Sequence, residues 1–88
     1  MKVIYGGSFL KSARKLPSRQ QKKLADLIPS LQKNPFNPLL HSKPLSGPLS
    51  GLYSFRITRD WRVIFQFVNI DTIRILLVGH RKDIYQKF

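Results

Sequence analysis

Residues 52–80 read LYSFRITRDWRVIFQFVNIDTIRILLVGH. Three runs rich in β-branched and aromatic residues, roughly 52–58, 61–68 and 72–79, are parted by Thr58-Arg59-Asp60 and Asn69-Ile70-Asp71. Short connections of this kind join neighbouring antiparallel strands, so the stretch predicts a three-stranded antiparallel meander.

Side chains alternate across a strand, which divides the meander into two predicted faces. One carries Tyr53, Phe55, Ile57, Trp61, Val63, Phe65, Phe67, Ile73, Ile75 and Leu77. It is wholly apolar and is expected to pack against helices. The other carries Ser54, Arg56, Thr58, Arg62, Ile64, Gln66, Val68, Arg74, Leu76, Val78 and His80. Three arginines and a histidine are thereby expected on the side away from the helices, provided that no bulge breaks the alternation.

Upstream, residues 2–6 are short and alternating and end at Gly6-Gly7, which predicts a first strand. Ser8 is placed to cap a helix whose apolar positions are Phe9, Ala13 and Leu16, stopped by Pro17. Ser18 is placed to cap a second helix with Leu24, Leu27, Ile28 and Leu31 on one stripe. Pro29 interrupts that stripe and predicts a kink or an early stop. The helix should be over by Asn34-Pro35. From Pro35 to Gly51 the chain is rich in proline, glycine and serine, and is expected to wrap the sheet edge as a loop. The predicted fold is α+β: an N-terminal strand, a two-helix hairpin and the meander, with helices on one face and a basic open face on the other. Residues 1–88 form one domain in this reading.

Charge dominates the composition. Sixteen Lys and Arg oppose four acidic residues, all of them aspartate, for a net charge of +12 on 88 residues. Self-repulsion of that size disfavours the compact state, so a polyanionic partner is expected. Nucleic acid fits best, because Lys and Arg neutralise phosphates and release counterions. An acidic protein is the second candidate, and the two are compatible. The chain has no cysteine, which excludes disulfides, thiolate metal sites and a cysteine nucleophile. No apolar run has the length of a membrane span, and the first residues lack the apolar stretch of a signal peptide, so a cytoplasmic location and no membrane partner are expected.

Four scattered aspartates do not make a site for a hard cation, and two histidines without cysteine do not make a zinc site. Neither a metal nor any other cofactor is expected. What remains is metal-independent chemistry on a phosphodiester. RNA carries its own nucleophile in the 2′-hydroxyl. The protein then needs a group to take a proton, a group to give one, and cations for the charge growing on the phosphorane. His80 suits proton transfer, since imidazole titrates near neutrality. Arg56, Arg62 and Arg81 suit the phosphate, whose oxygens a planar guanidinium holds bidentately. Tyr85 has a ring to stack on a base and a hydroxyl to share in proton transfer. Asp60 is a second proton-transfer candidate or a partner to a histidine. Each also has a plain structural alternative: Asp60 as a turn residue, Tyr85 and Phe88 as aromatics closing the core, and Trp61 as core.

The order of elements, the stretch LHSKPLSGPLSGLYSFRITRDWRVIFQF and the segment VGHRKDIYQ resemble the RelE/ParE toxin superfamily. The resemblance covers nearly the whole chain and is strongest over residues 41–86. It implies the toxin of a toxin–antitoxin pair: an endoribonuclease that cuts messenger RNA, in many members within the ribosomal A site against 16S rRNA. It also implies a cognate acidic antitoxin that wraps the toxin. Arg62 matches the arginine that follows the hairpin aromatic, Arg56 a basic residue on the preceding strand, Arg81 the strand-end arginine and Tyr85 the terminal tyrosine. His80 matches a histidine of the YafQ-like branch, and Asp60 an aspartate used there. The resemblance departs at Ser54, where RelE has a further lysine, and in lacking the glutamate base of the YoeB-like branch. Lys43, His41, Arg59, Arg74 and Lys82 are the expected further RNA contacts. Two alternatives stand beside this reading: a ParE-like inhibitor of DNA gyrase, and a non-catalytic basic nucleic-acid-binding module.

Overall fold

A computed structural model describes residues 1–87, Lys87 by its backbone alone. Phe88, read above as a core-closing aromatic, lies outside the described residues. Lys2–Tyr5 forms strand β1, and Gly7–Arg14 forms helix α1. Gly6 takes the N-cap position, so Ser8 sits inside the first turn rather than capping it. Glycine is needed at position 6 for closeness: its N–H donates to the Ile75 carbonyl at 3.0 Å, and an added Cβ would lie 3.1 Å from that oxygen.

Helix α2 runs from Ser18 to Lys33, and the expected stop at Pro29 does not occur. Leu24 and Leu31 are buried on either side of the proline along the same stripe, while Pro29 itself is exposed. Burial of that stripe carries the helix through the lost backbone bond. The two helices are tied at their corner by Gln21, whose Nε2 donates to the carbonyls of Ala13 at 3.1 Å and Leu16 at 3.0 Å. Those acceptors belong to the end of α1, where intrahelical donors run out.

The loop after α2 is more structured than expected. Pro38–Leu40 and Gly47–Leu49 are 3₁₀ turns, and between them Lys43–Pro44 forms a two-residue strand, β2. The meander follows as β3 (Tyr53–Arg56), β4 (Trp61–Asn69) and β5 (Thr72–His80). The sheet therefore has five strands in the order β1-β5-β4-β3-β2, with β1 parallel to β5 and the other pairs antiparallel. Proline is tolerated in β2 because an edge strand need not donate on its outer side.

Phe9, Leu16, Leu24, Leu31 and Leu40 meet Phe55, Ile57, Val63, Phe65, Ile73, Ile75 and Val78 in one buried cluster, so both helices lie on one face of the sheet. On β3, β4 and the first half of β5 the predicted alternation holds. At Leu76 it fails: Phe65 pairs with Ile75, but Ile64 pairs with Leu77, leaving Leu76 as the extra residue of a bulge. Beyond it the faces exchange. Leu77, expected in the core, lies with Ile64 on the open side; Val78, expected on the open side, is in the core. His80, paired with Trp61, moves to the helix side as well. The Val78 N–H, past the end of β1, donates to Ser12 Oγ at 3.1 Å, and that hydroxyl donates to the Phe9 carbonyl at 2.9 Å.

The open face is not bare. Ile64 and Ile84 are both fully buried yet stand outside the main cluster. The 3₁₀ turn Ile84–Lys87 folds back so that Ile84 lies over Gly79. An added Cβ at Gly79 would meet Ile84 at 3.7 Å, an ordinary contact, so that glycine is not demanded by closeness.

Candidate active site

The tight turn after β3 sets Arg56 directly opposite Arg62 on β4. Like charges in facing cross-strand positions destabilise a sheet. Arg62 is only 8% exposed, and among the described residues its guanidinium donates to the Arg59 carbonyl alone, at 3.4 Å from Nε and 3.3 Å from Nη2. That one local carbonyl leaves the other guanidinium donors free to face the clefts that Arg62 lines. No carboxylate lies within ion-pair distance of it among the described residues. A cation fixed by burial of its stem, with donors open to the clefts and no matching carboxylate among the described residues, is arranged for an anion that comes from outside.

Arg81 is held differently. Its backbone N–H donates to the Asp60 carbonyl at 2.7 Å, and its Nε lies 3.3 Å from Asp60 Oδ1. Asp60 thus spans the β3–β4 turn and the end of β5, and it orients an arginine rather than a histidine. With Nε engaged, the terminal nitrogens of Arg81 remain for a ligand. The pair is substantially exposed, so its value is in orientation more than in stability. Tyr85 is brought in by the 3₁₀ turn that Ile84 anchors, and its hydroxyl is buried with no hydrogen-bond partner among the described residues.

Two clefts flank these groups. One of about 620 Å³ opens at the β3–β4 end of the sheet, with Leu27, Leu39 and Ile57 as apolar lining and Lys23, His41, Arg56 and Arg59 around them. The other, of about 570 Å³, lies between the Gly47–Leu49 turn and the terminal segment, lined by Lys43, Leu45, Ser46, Leu49, Lys82 and Tyr85. Arg62 and Arg81 line both and form the wall between them. No aspartate faces either cleft, so both are cationic.

The expected site is therefore assembled for Arg56, Arg62, Arg81 and Tyr85, with Lys43, Lys82, His41 and Arg59 along its margins. His80 is the main correction. The bulge at Leu76 turns it onto the opposite face, where it lies edge-on to Trp61 and lines neither cleft. Its Nδ1 accepts the Lys82 backbone N–H at 3.2 Å, a local turn contact. Arg74 also falls outside, paired with Gln66 further along the sheet. Sequence reasoning missed Lys23 and Leu27 on α2 and Leu39 in the loop. Leu27 was read as core, and nothing in a helical stripe marks the residue at its rim.

The family model for the ParE toxin of type II toxin–antitoxin systems matches residues 3–85. The chain belongs to that family. Solved structures of similar fold agree with this placement of the toxin. The toxin is similar to the RelB–RelE antitoxin–toxin complex of Methanococcus jannaschii, with 28% identity, a TM-score of 0.76 and coverage of 97% of this chain and 98% of that one. It is similar to the RelBE2 toxin–antitoxin complex of Mycobacterium tuberculosis, with 26% identity, a TM-score of 0.77 and coverage of 91% and 96%. YafQ of Escherichia coli shares the fold at 22% identity, with a TM-score of 0.79 and coverage of 96% and 97%. No curated protein sequence matches the chain. The five-stranded sheet with two helices is thus the fold of RelE-like toxins, and those two structures are of toxin–antitoxin complexes. No helix of the described residues is long and apolar enough to cross a membrane.

Proposed function

We propose that this toxin is a metal-independent endoribonuclease that cuts messenger RNA in the ribosomal A site, and that a cognate acidic antitoxin silences it. The observation that carries the reading is Arg62: a buried cation facing Arg56 across the strands, with no carboxylate to match it among the described residues. Arg62 and Arg81 hold the oxygens of the scissile phosphate from two sides of the shared wall, and Arg56 adds a third cation. The 2′-oxygen of the preceding nucleoside forms a bond to phosphorus and gives up its proton. The bond from phosphorus to the 5′-oxygen breaks, that oxygen takes a proton, and a 2′,3′-cyclic phosphate and a 5′-hydroxyl result. The arginines stabilise the doubly charged phosphorane between these events. Tyr85 serves proton transfer at the second cleft, which it lines with Lys43, Arg62, Arg81 and Lys82, and its buried hydroxyl has no hydrogen-bond partner among the described residues. Asp60 sets the angle of Arg81, and His80 braces Trp61 at the strand end. Among the described residues the two clefts are lined by cations and no carboxylate, which suits a phosphate, repels a divalent cation and favours chemistry without a metal.

The name of the matching family favours a second reading, inhibition of DNA gyrase. One set of assays separates the two. Purified toxin is added to ribosomes programmed with messenger RNA, to 16S rRNA contacts mapped by footprinting, and to a gyrase supercoiling reaction. Cleavage that Arg62→Ala and Tyr85→Phe abolish supports the ribonuclease. Gyrase inhibition without RNA cuts overturns it, and binding that weakens only in proportion to lost charge leaves a passive module.

A further inference from the structure

We infer that the first cleft is a nucleobase-selecting subsite, in which His41 and Leu39 decide which nucleoside beside the scissile phosphate the toxin accepts. The inference rests on the ribonuclease reading above and extends it. A site for phosphate alone needs cations and little else. This cleft adds an apolar lining, formed by Leu27, Leu39 and Ile57, to its cationic rim. A nucleotide has the same two natures: a flat apolar base carried on an anionic backbone. A volume of about 620 Å³ is ample for one.

Two features show the lining is built at a cost to the fold. Leu39 is 68% exposed while its neighbour Leu40 is fully buried, so the turn turns a large apolar side chain outward into the cleft. Asn37 fixes it there, its Oδ1 accepting the Leu39 N–H at 2.9 Å. His41 follows with φ 50°, the one non-glycine residue with positive φ among the described residues. That conformation, taken where the Pro38–Leu40 turn ends, is one that few side-chain-bearing residues adopt, and strain of this kind gathers where a ligand is held. Here it delivers the imidazole to the cleft wall. The ring offers a face for stacking and two nitrogens for a base edge, and Thr58 adds a hydroxyl beside it.

The test uses the whole toxin on ribosomes programmed with a message library that varies the nucleosides on both sides of each cleavage site. His41→Asn keeps the left-handed conformation that asparagine tolerates, and Leu39→Ser removes the apolar surface without touching the core. Each is expected to lower kcat/KM at preferred sites and to narrow the ratio between preferred and disfavoured bases by about tenfold, the scale of one lost stack, with the melting temperature held. An unchanged ratio overturns the inference, whether or not the overall rate falls. If the wild-type toxin cuts nothing, the ribonuclease reading has failed, and nucleoside monophosphates titrated against methyl-labelled toxin decide this proposal separately. Shifts at Leu27 and Leu39 support it; shifts confined to Leu45 and Leu49, or none, overturn it.

Discussion

His80 stands edge-on against Trp61, with ring centroids 5.3 Å apart and planes at 81°. The contact lies on the helix side of the sheet, whereas Arg62 and Arg81 face the clefts. A residue whose ring is used in packing should tolerate another ring. His80→Phe is expected to keep the cleavage rate within about threefold, less than 1 kcal/mol of barrier. Arg81→Ala, which removes a donor to the phosphorane, should lose about a hundredfold or more. Single-turnover cleavage on programmed ribosomes reads both. A collapse of activity in a folded His80→Phe would return the imidazole to proton transfer.

Ser12 holds the bulged strand. Its hydroxyl accepts the Val78 N–H and donates to Phe9, so one side chain joins α1 to the segment where β5 changes faces. Ser12→Ala leaves that N–H without a partner at a half-buried position and should cost about 1–2 kcal/mol. A drop in melting temperature on the order of 4–8 °C per kcal/mol follows for a domain of this size. Hydrogen exchange adds a local check: the Val78 amide should exchange faster in the variant, and an unchanged amide would show that the strand is held elsewhere.

Pro29 lies within α2 and is exposed, so its own ring adds little packing against the missing bond, which the buried Leu24 and Leu31 offset. An interior proline costs a helix roughly 3 kcal/mol relative to alanine. Pro29→Ala should recover on the order of 1–2 kcal/mol of that. Urea unfolding would register it as a higher midpoint with an unchanged slope. A lower midpoint would mean that the ring itself packs usefully in the groove it shares with Tyr5 and Phe9.

A net charge of +12 should make the free toxin unusually sensitive to salt. Its melting temperature is expected to rise as ionic strength screens the self-repulsion. An acidic antitoxin should raise it further by mass action, by about 2.7 kcal/mol when the free antitoxin is a hundredfold above its dissociation constant. The gain should shrink as salt increases. Scanning calorimetry with and without the partner, across salt, would measure it, and no shift at low salt would count against an acidic partner.

Much of the fold was legible because β3 and β4 are joined by a turn too short to permit slippage. The opposition of Arg56 and Arg62 follows from that turn and the period of two. The bulge was not legible. Ile75-Leu76-Leu77-Val78 is apolar at every position, so a one-residue slip leaves no mark in the hydrophobic pattern. His80 inherited the error. Strand β2 was hidden for another reason: Lys43-Pro44 is too short for any periodicity, and its pairing with Ser54 and Tyr53 is a tertiary fact. The α2 wall of the first cleft was equally invisible, since Lys23 and Leu27 become a rim only when the loop carrying Leu39 and His41 closes over them.

The segment that follows β5 carries Arg81, Ile84 and Tyr85 to the clefts, and β5 itself is the strand on which β1 must pair across the length of the chain. Synthesis proceeds from the N-terminus, so these elements emerge after everything else described here. A chain that stops before residue 81 has both helices and most of its strands but only the Arg62 half of the wall between the clefts. Strand pairing over so great a sequence distance is also slow to form. The wall shared by the two clefts is thus the part of this fold completed last as the chain is made.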